Sequence, residues 1–316
     1  MKISDNRIGR RTLLKLIAGF AGSSWLSPSL LPAAERTPIK RNIPVSNESL
    51  PVIGMGTSRT FDSAGNRQKI ANLEKVLAQF FAMGGTLIDS SPMYGSAEQV
   101  IGTLLKRIEP ESLFAATKVW TDGKANGVTQ MELSRKLWGI ERFDLMQIHN
   151  LRDWRAHLET LKAMKAEGRI RYIGITTSHG RDHDELYEVL SNHSFDFVQL
   201  SYNIKNRRVE ERLLPLAMDR GIAVIANRPF ARGDLFRMVK DKPMPNWVDE
   251  FDCNSWAQFF LKYIVSHPAL TCAIPATSKV HHMLDNMSAG FGRLPDRAMR
   301  KEMEKAFEQL SAAQSR

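Results

Sequence analysis

Residues 158–177 have the sequence LETLKAMKAEGRIRYIGITT, and this stretch contains the repeating unit of the fold. Leu158, Leu161 and Met164 recur at spacings of three, which places them on one face of a helix. Gly168 then ends the helix, as glycine often does at this position. The run from 170 to 177 is apolar and rich in Ile and Thr, which is typical of a buried parallel strand. The stretch therefore predicts a helix that is followed at once by a strand.

The same alternation extends along the chain from residue 51 to residue 288. Apolar runs predict seven further strands at 51–57, 86–91, 113–120, 144–150, 195–203, 222–230 and 270–276. Helical patterns lie between them at 72–83, 97–107, 129–138, 183–191, 208–219, 254–266 and 279–288, and one more follows at 295–310. Strict alternation predicts parallel strands with right-handed crossovers. Eight units in about 240 residues favour an α/β fold of the closed (β/α)8 TIM barrel type, with an extra C-terminal helix. The alternative is an open doubly wound sheet, but no Gly-x-Gly-x-x-Gly follows the first strand.

The composition is that of a folded globular protein, with 43% hydrophobic and 25% charged residues in a chain of 316. Of the net charge of +10, residues 1–34 carry +4 and the rest of the chain carries +6. The rest lacks the long Lys/Arg run with interleaved aromatics that a nucleic-acid surface needs, so we expect no nucleic-acid partner. The mild positive charge instead suits an anionic cofactor. The two cysteines, Cys253 and Cys272, have no metal-binding spacing and form no disulfide framework.

Residues 1–34 have the layout of a signal peptide. Paired arginines at 10 and 11 precede a moderately apolar stretch from 13 to 26, and small residues follow up to Ala34. The apolar stretch is too short to span a bilayer stably, and GRRTLLK resembles the twin-arginine signal, an address that exports folded proteins. The sequence therefore predicts a signal peptide over 1–34, the Tat export machinery as a partner, and a periplasmic barrel over 35–316. Two alternatives remain open, a chance Arg-Arg before an N-terminal helix and an uncleaved leader that acts as an anchor.

Polar residues stand near the C-terminal ends of three consecutive predicted strands, where barrels of this type carry their active sites. Asp89 and Tyr94 belong to the strand at 86–91 and its loop, Lys118 to the next strand and His149 to the one after it. Each alone has a structural explanation, such as a helix N-cap for Asp89. Together they indicate catalysis, because a buried lysine needs an adjacent carboxylate, and its ammonium would lower the pKa of a neighbouring tyrosine from about 10. We therefore predict that Tyr94 is a general acid.

These residues lie in segments that resemble the signatures of the aldo-keto reductase family. GGTLIDSSPMYGSAEQVIG at 84–102 resembles the first signature, AMKAEGRIRYIGITTS at 163–178 the second, and IPATSKVHHMLDN at 274–286 the third. The match runs in order over nearly the whole chain after the leader. The resemblance implies a reductase in which Tyr94 gives the proton to the oxygen of an aldehyde or ketone as hydride arrives from a nicotinamide. Lys118, paired with Asp89, would lower the pKa of Tyr94, and His149 would orient the carbonyl.

The resemblance also implies a cofactor site on the remaining strands. Gln199 would hold the nicotinamide carboxamide, with Thr176 keeping a hydroxyl where the family has a serine. Ser278, Lys279 and Asn286 fall where the family binds the adenosine phosphate and the adenine ring.

Three departures from the family pattern affect this site. Thr177 stands where the family has an asparagine, so one amide contact to the carboxamide is lost. Asn227 replaces the aromatic residue that usually stacks on the nicotinamide, and neighbouring Arg228 is then expected to bind the pyrophosphate. His282 replaces an arginine near the 2′-phosphate. Lys279 alone then supports NADPH, with NADH as the alternative cofactor.

The substrate pocket is predicted from three residues, Met93, Trp120 and Trp154, in loops near the catalytic end. They are expected to form an apolar mouth for an aldehyde or ketone with an apolar or aromatic body. We expect the protein to act as a monomer.

Two competing functions follow from the same sequence. One is an exported barrel that binds nucleotide with little or no turnover, since free NADPH is scarce outside the cytoplasm. The other is a glycoside-hydrolysing or sugar-binding barrel, which would need two facing carboxylates. Only Asp89 is found among the tips of the predicted strands, and the intact set of four catalytic candidates argues against a mere binding protein.

Overall fold

The computed structural model describes residues 37–312, so the predicted leader at 1–34 lies outside the described residues. Within the described range, no helix combines the length and the apolar character that a membrane span requires.

The strands of this range are, in chain order, β1 (Lys40–Asn42), β2 (Ser49–Pro51), β3 (Met55–Gly56), β4 (Leu87–Asp89), β5 (Phe114–Val119), β6 (Phe143–Ile148), β7 (Ile170–Thr176), β8 (Phe197–Ser201), β9 (Ala223–Asn227) and β10 (Leu270–Ala273). The α-helices are α1 (Arg67–Ala82), α2 (Ala97–Ile108), α3 (Lys124–Trp138), α4 (Trp154–Ala166), α5 (His183–Asn192), α6 (Leu213–Asp219), α7 (Asp234–Met238), α8 (Trp256–Val265), α9 (Val280–Ser288) and α10 (Arg297–Ala312). Short 3-10 helices lie at His149–Leu151, Arg208–Glu210, Ala231–Gly233 and Asn246–Phe251.

Strands β3 to β10 form one eight-stranded parallel sheet in sequence order. The sheet closes on itself where the backbone N–H of Gly54 donates to the carbonyl of Ala273 over 2.9 Å. Gly56 permits the close approach, because a Cβ at this position would lie 2.8 Å from the carbonyl oxygen of Ile274. The predicted (β/α)8 barrel with an extra C-terminal helix is confirmed.

The barrel interior follows the period-two alternation of side chains along each strand. The inward positions at the N-terminal ends of the strands form one apolar cluster that includes Leu87, Phe114, Leu145, Tyr172 and Phe197. The inward positions two or four residues further along β4, β5, β6 and β8 are polar. The floor of the barrel is therefore apolar, and its C-terminal end carries the polar groups.

A hairpin that the sequence did not predict precedes the barrel. β1 and β2 pair antiparallel, and Ile43 and Leu50 of this hairpin are buried in the interior cluster. The predicted strand at 51–57 is therefore divided: Pro51 ends β2, and only Met55 and Gly56 pair with β4. The hairpin packs its apolar residues against the N-terminal end of the barrel.

Most predicted helices are present, with differences at their ends and in one loop. α1 begins five residues before its predicted start, because the side chain of Asn66 accepts the N–H of Lys69 over 2.9 Å and caps the helix. The predicted helix at 208–219 is split, and α6 starts at Leu213. Pro215 explains the split, because a proline without an N–H fits the first turn of a helix but not its interior. The sequence also predicted nothing between 230 and 254, where α7 and a 3-10 helix lie.

Candidate active site

A buried ion pair lies at the C-terminal ends of β4 and β5. The ammonium of Lys118 donates to Asp89 Oδ2 over 2.5 Å and to the carbonyl oxygen of Ser90 over 2.7 Å. The other carboxylate oxygen of Asp89 accepts the side-chain amides of Gln147 over 2.8 Å and Gln199 over 2.9 Å. Lys118 is 0% exposed and Asp89 is 2% exposed. A buried pair that is supported by further hydrogen bonds in this way avoids most of the penalty of an unpaired interior charge.

The ion pair holds the lysine in its charged form. Burial by itself lowers the pKa of Lys118, but the neighbouring Asp89 carboxylate and Tyr94 outweigh burial and raise the pKa above its ordinary value. The ammonium lies 5.3 Å from the centre of the Tyr94 ring. A permanent positive charge is therefore fixed beside the phenol.

The predicted direction of the Tyr94 pKa shift is wrong for the protein without a ligand. Burial raises the pKa of Tyr94 above its usual value, and this effect outweighs the opposing charge of Lys118. Charge alone, which is what the sequence shows, would have lowered it. The phenol consequently stays protonated through the neutral pH range, as a proton donor must.

His149 is held as a neutral imidazole at the end of β6. Burial and the charge of Lys118 lower the pKa of His149 from its ordinary value to about 3. Its Nδ1 lies 3.0 Å from Ser91 Oγ, and this oxygen already accepts the backbone N–H of Met93 over 3.2 Å. If Ser91 donates its hydroxyl proton to Nδ1, the hydrogen of the neutral ring is on Nε2. The ring centres of His149 and Tyr94 are 6.1 Å apart, so both residues face one region.

Of the predicted pocket residues, two lie beside this region. Trp120 lies with its ring centre 6.3 Å from that of His149, and the guanidinium of Arg152 stacks over its indole at 4.9 Å. Met93 directly precedes Tyr94, and its side chain is 48% exposed. Both can form an apolar edge to the site.

The structure gives Trp154 a different environment from the predicted one. The residue opens α4 and is only 7% exposed. Its ring packs edge-on against His193 with ring centres 4.9 Å apart, and its indole N–H donates to Glu185 over 3.2 Å. These contacts join α4 to the neighbouring helix α5, so we correct the prediction and leave Trp154 out of the mouth.

Sequence reasoning missed two groups that support the ion pair. Gln147 pairs in register with Lys118 on the adjacent strand, and Gly174 makes room for it, since a Cβ there would lie 2.7 Å from Gln147 Cγ. Glu98 of α2 is buried and accepts the hydroxyl of Thr117 over 2.6 Å, and its charge helps to raise the pKa of Lys118. Burial raises the pKa of Glu98. The period-two spacing of Gln147 and His149 was a usable signal for the first group, whereas no local pattern marked the second.

The predicted carboxamide site contains buried polar atoms without partners. Thr177 Oγ1 and Asn150 Oδ1 are buried and have no hydrogen-bond partner among the described residues. The hydroxyl of Thr176 instead accepts the backbone N–H of Asn150 over 3.0 Å. A carboxamide offers both a donor and an acceptor, so it fits the two unpartnered atoms. Thr177 lacks the amide of the family's asparagine, but its unpartnered hydroxyl can still form a hydrogen bond with the carboxamide.

Gln199 is more constrained than the family resemblance implies. Its amide nitrogen donates to Asp89 and, over 3.1 Å, to Gln147, while its oxygen accepts Asn227 Nδ2 over 3.3 Å. Asn227 also accepts the hydroxyl of Ser201 over 2.7 Å. Both amide hydrogens of Gln199 are thus used within the protein, and only its oxygen retains capacity for a cofactor.

The third signature lies between β10 and α9. The carbonyl oxygen of Ser278 accepts the side-chain amide of Asn72, and Ser278 lines a cleft of about 380 Å³ together with Arg59 and Lys69. Lys279 is exposed at the start of α9, where its ammonium is accessible to a phosphate. Asn286, by contrast, is only 2% exposed, so an adenine ring has little access to it in this arrangement.

Comparison with known proteins agrees with this geometry. The sequence profile of the Aldo/keto reductase family matches residues 52–306. The chain is 29% identical over 247 residues to methylglyoxal reductase YeaE of Escherichia coli K12, and the match covers 75% of this chain and 84% of that protein. It is also 29% identical over 182 residues to an NADH-specific methylglyoxal reductase of the same organism, which covers 48% of this chain and 54% of that one.

Solved structures show the same fold. The holo form of an aldo-keto reductase from Bacillus halodurans superposes with a TM-score of 0.70 at 21% identity, covering 85% of this chain and 96% of that one. An aldo-keto reductase from Klebsiella pneumoniae in complex with NADPH gives a TM-score of 0.67 at 22% identity, covering 86% and 95% of the two chains. The family profile covers far more than half of the sequence. The chain therefore belongs to the aldo/keto reductase family.

Proposed function

We propose that the protein reduces an aldehyde or ketone to an alcohol with NADPH, and that Tyr94 donates the proton. The observation that carries this proposal is the buried Asp89–Lys118 pair beside Tyr94, with neutral His149 also next to the phenol. The two methylglyoxal reductases of Escherichia coli, which act on a small carbonyl compound according to their names, support the reaction class.

In this scheme the bound cofactor supplies a hydride to the carbonyl carbon. The substrate oxygen, on which negative charge then develops, accepts the Nε2 hydrogen bond of His149 and takes the proton of the Tyr94 phenol. The C=O π bond becomes a C–H and an O–H bond, and a phenolate is left on Tyr94. Lys118 stabilises that phenolate, because its ammonium stays charged through its contact with Asp89. Solvent protonates Tyr94 before the next turnover.

The cofactor assignment rests on the residues around the carboxamide and the 2′-phosphate. Thr177 Oγ1 and Asn150 Oδ1 would take the carboxamide, with the oxygen of Gln199. Arg228 would bind the pyrophosphate and Ser278 and Lys279 the 2′-phosphate, while Thr176 would act by positioning Asn150. NADH is the alternative, since one of the relatives is named NADH-specific.

The cofactor preference is tested with Lys279→Ala. A charge-assisted contact is worth about 1.5–3 kcal/mol, so NADPH should bind about ten to a hundred times more weakly, while NADH binding changes little. Fluorescence titration of both cofactors measures this. Equal losses for NADPH and NADH would show that Lys279 does not distinguish the 2′-phosphate.

Tyr94→Phe tests the reaction itself. The variant should lose carbonyl reduction by a factor of about a hundred or more and keep its NADPH affinity, because the donor is removed and the cofactor contacts are not. Tyr187→Phe is the matched control, since Tyr187 of α5 stacks under Arg212 outside the barrel. Turnover of Tyr94→Phe within about threefold of wild type would exclude this residue as the proton donor. Binding of NADPH without any turnover by the wild type would favour a nucleotide-binding protein instead.

We also propose that the chain is exported folded to the periplasm through the twin-arginine pathway. The argument is that a folded barrel can carry its cofactor with it, whereas an unfolded chain would arrive empty. Replacing Arg10 and Arg11 by lysine should leave the protein active but retained in the cytoplasm, as cell fractionation would measure. Export of the double-lysine protein at wild-type levels would contradict the twin-arginine route.

A further inference from the structure

A strained turn joins the end of β6 to α4, and it carries His149. Asn150, Leu151 and Asp153 have φ values of 52°, 58° and 44°, in the left-handed region that residues with a Cβ rarely adopt. None of the three is a glycine. A turn of this kind persists only where its surroundings hold it, and such turns are concentrated at functional sites. We refer to residues 149–153 as the His149 turn.

Arg152 and Asp153 attach the His149 turn to the loop that follows β5. The guanidinium of Arg152 donates through Nε and Nη2 to the two carboxylate oxygens of Asp122, over 2.9 and 2.7 Å. The carboxylate of Asp153 accepts the backbone N–H of Gly123 over 2.7 Å. A bidentate pair of arginine and carboxylate fixes orientation as well as distance, because it forms two parallel bonds. The turn is therefore bound to the loop at two adjacent points.

The loop after β5 is itself fixed by two helices. The side-chain amide of Gln130 in α3 accepts the backbone N–H of Trp120 over 2.6 Å and donates to the carbonyl oxygen of the same residue over 3.3 Å. His157 of α4, which is 0% exposed, donates through Nε2 to the carbonyl oxygen of Thr121 over 2.7 Å. These contacts do not involve Arg152. The loop is consequently a fixed support to which Arg152 can bind the His149 turn.

Arg152 also contacts the aromatic ring beside His149. Its guanidinium lies 4.9 Å from the centre of the Trp120 indole, and that indole has its centre 6.3 Å from the centre of the imidazole. The backbone N–H of Arg152 donates to the carbonyl oxygen of His149 over 3.2 Å. One residue therefore contacts both the backbone of His149 and the ring next to its side chain.

We propose that Arg152 is a positioning residue for the reduction, because its bidentate pair with Asp122 holds the His149 turn and thereby places the imidazole at the carbonyl oxygen. This inference rests on the proposed function, in which His149 donates a hydrogen bond to that oxygen. The hydrogen bond becomes stronger as negative charge develops, so displacing the ring slows the reaction more than it weakens substrate binding. Loss of Arg152 should therefore lower kcat and leave KM nearly unchanged.

The exposure of the pair separates positioning from a structural role. The side chains of Arg152 and Asp122 are 35% and 68% exposed, and exposed ion pairs contribute little to stability. Arg152→Met should therefore shift the Tm by less than about 3 °C. Arg107→Met is the matched control, since Arg107 lies in the last turn of α2, which leads back to the start of β5, and forms an exposed ion pair of 2.8 Å with Glu74.

The first test measures reduction of 4-nitrobenzaldehyde at saturating NADPH. We expect kcat to fall about fivefold to twentyfold in Arg152→Met and in Asp122→Asn, and to stay within about twofold of wild type in the control. Arg152→Lys should recover only part of the loss, because lysine keeps the charge but cannot form the bidentate pair. An unchanged kcat in Arg152→Met, or a loss that appears only as a higher KM, would overturn the proposal.

A double-mutant cycle tests whether Arg152 acts through His149. In the His149→Gln background no imidazole remains to be positioned, so adding Arg152→Met should lower kcat by less than about twofold further. If the double variant instead shows the full product of the two single losses, Arg152 acts independently of His149 and the proposal is wrong.

Hydrogen exchange keeps the inference independent of the reaction. The backbone N–H groups of Asn150 and Gly123 are both hydrogen-bonded in the wild type. In Arg152→Met they should exchange about tenfold faster or more, while α2 exchanges as before. If this change is found but no aldehyde is reduced, the proposed function fails and the fixing of the His149 turn by Arg152 stands. If exchange in the turn is unchanged, the positioning role is overturned whether or not the enzyme turns over.

Discussion

The buried ion pair and four arginines, Arg59, Arg181, Arg228 and Arg232 (the arginine cluster), all lie at the C-terminal ends of barrel strands. Among the described residues, only the charge of the ion pair is balanced by a carboxylate. Lys118 is fully buried and contacts the Asp89 carboxylate, which accepts two further hydrogen bonds from Gln147 and Gln199. The arginine cluster is largely exposed and contacts no carboxylate among residues 37–312. Balanced charge inside the barrel stabilises the fold and tunes the chemistry, whereas unbalanced charge on the rim is stabilised only by something that binds. The comparison teaches that a positive charge can be neutralised within the fold or left available for a bound anion.

Removing Lys118 from the buried Asp89–Lys118 pair should have the largest effect on the free energy of unfolding. Lys118→Met leaves Asp89 as a buried carboxylate without its cation, which should lower the free energy of unfolding by about 3–5 kcal/mol. Urea unfolding at neutral pH measures the loss. Lys162→Met is the matched control, since Lys162 pairs with Glu159 on an exposed helix surface, and its loss should be less than about 1 kcal/mol. Similar losses for the two variants would mean that the buried pair contributes no more than a surface pair.

Because His149 is neutral in the folded protein, we expect the free energy of unfolding to decrease at acidic pH. The pKa of His149 is about 3 in the folded protein and about 6.5 in the unfolded chain, so below pH 6.5 only the unfolded chain gains a proton there. Stability is therefore lost as the pH falls from about 6.5 towards 3, and at pH 5 the loss from this residue is about 2 kcal/mol.

His149→Gln should abolish that part of the acid sensitivity. Comparing the free energy of unfolding at pH 7.5 and pH 5 gives the drop for each protein, and the drop should be about 2 kcal/mol smaller in the variant. The other histidines are common to both proteins and cancel in the comparison. An equal drop in both proteins would show that His149 accepts a proton in the folded state.

The smallest effect has the opposite sign and concerns the arginine cluster. Arg228→Gln removes one of four crowded positive charges and should stabilise the ligand-free protein by a few tenths to about 1 kcal/mol at low salt. Added salt should reduce the gain, because it screens the repulsion. Arg220→Gln is the control, because Arg220 follows α6 and donates to the carbonyl oxygen of Ser191, and it should show no such gain. A destabilised Arg228→Gln variant would indicate that the cluster is already balanced in the ligand-free protein.

Much of the fold could be predicted from the sequence, because the relevant signals are local. The apolar runs and helical spacings predicted eight barrel strands and the helices between them, since side-chain periodicity is a property of neighbouring residues. The β1–β2 hairpin was missed, because its strands are only three residues long and show no clear alternation, and because Ile43 and Leu50 are buried in a cluster formed mostly by distant barrel residues. The split of the predicted helix at 208–219 could have been predicted from Pro215, which fits only the first turn of a helix.

The candidate site was predicted less completely. Asp89, Lys118, Tyr94 and His149 were identified, and the structure brings them together. Trp154 was placed wrongly, because its position after β6 does not reveal that its ring turns towards α5.

The sequence by itself determined the order of strands and helices and the chemical groups at the strand ends. These depend on residue type and spacing along the chain. Only the tertiary structure decided which of those groups form their hydrogen bonds and ion pairs within the protein and which have no partner there. It decided that burial outweighs the charge of Lys118 at Tyr94, and that the side chain of Gln199 is hydrogen-bonded within the protein while Thr177 Oγ1 is not. Desolvation and long-range charge depend on what surrounds a group in three dimensions, and residues far apart in the chain create that environment.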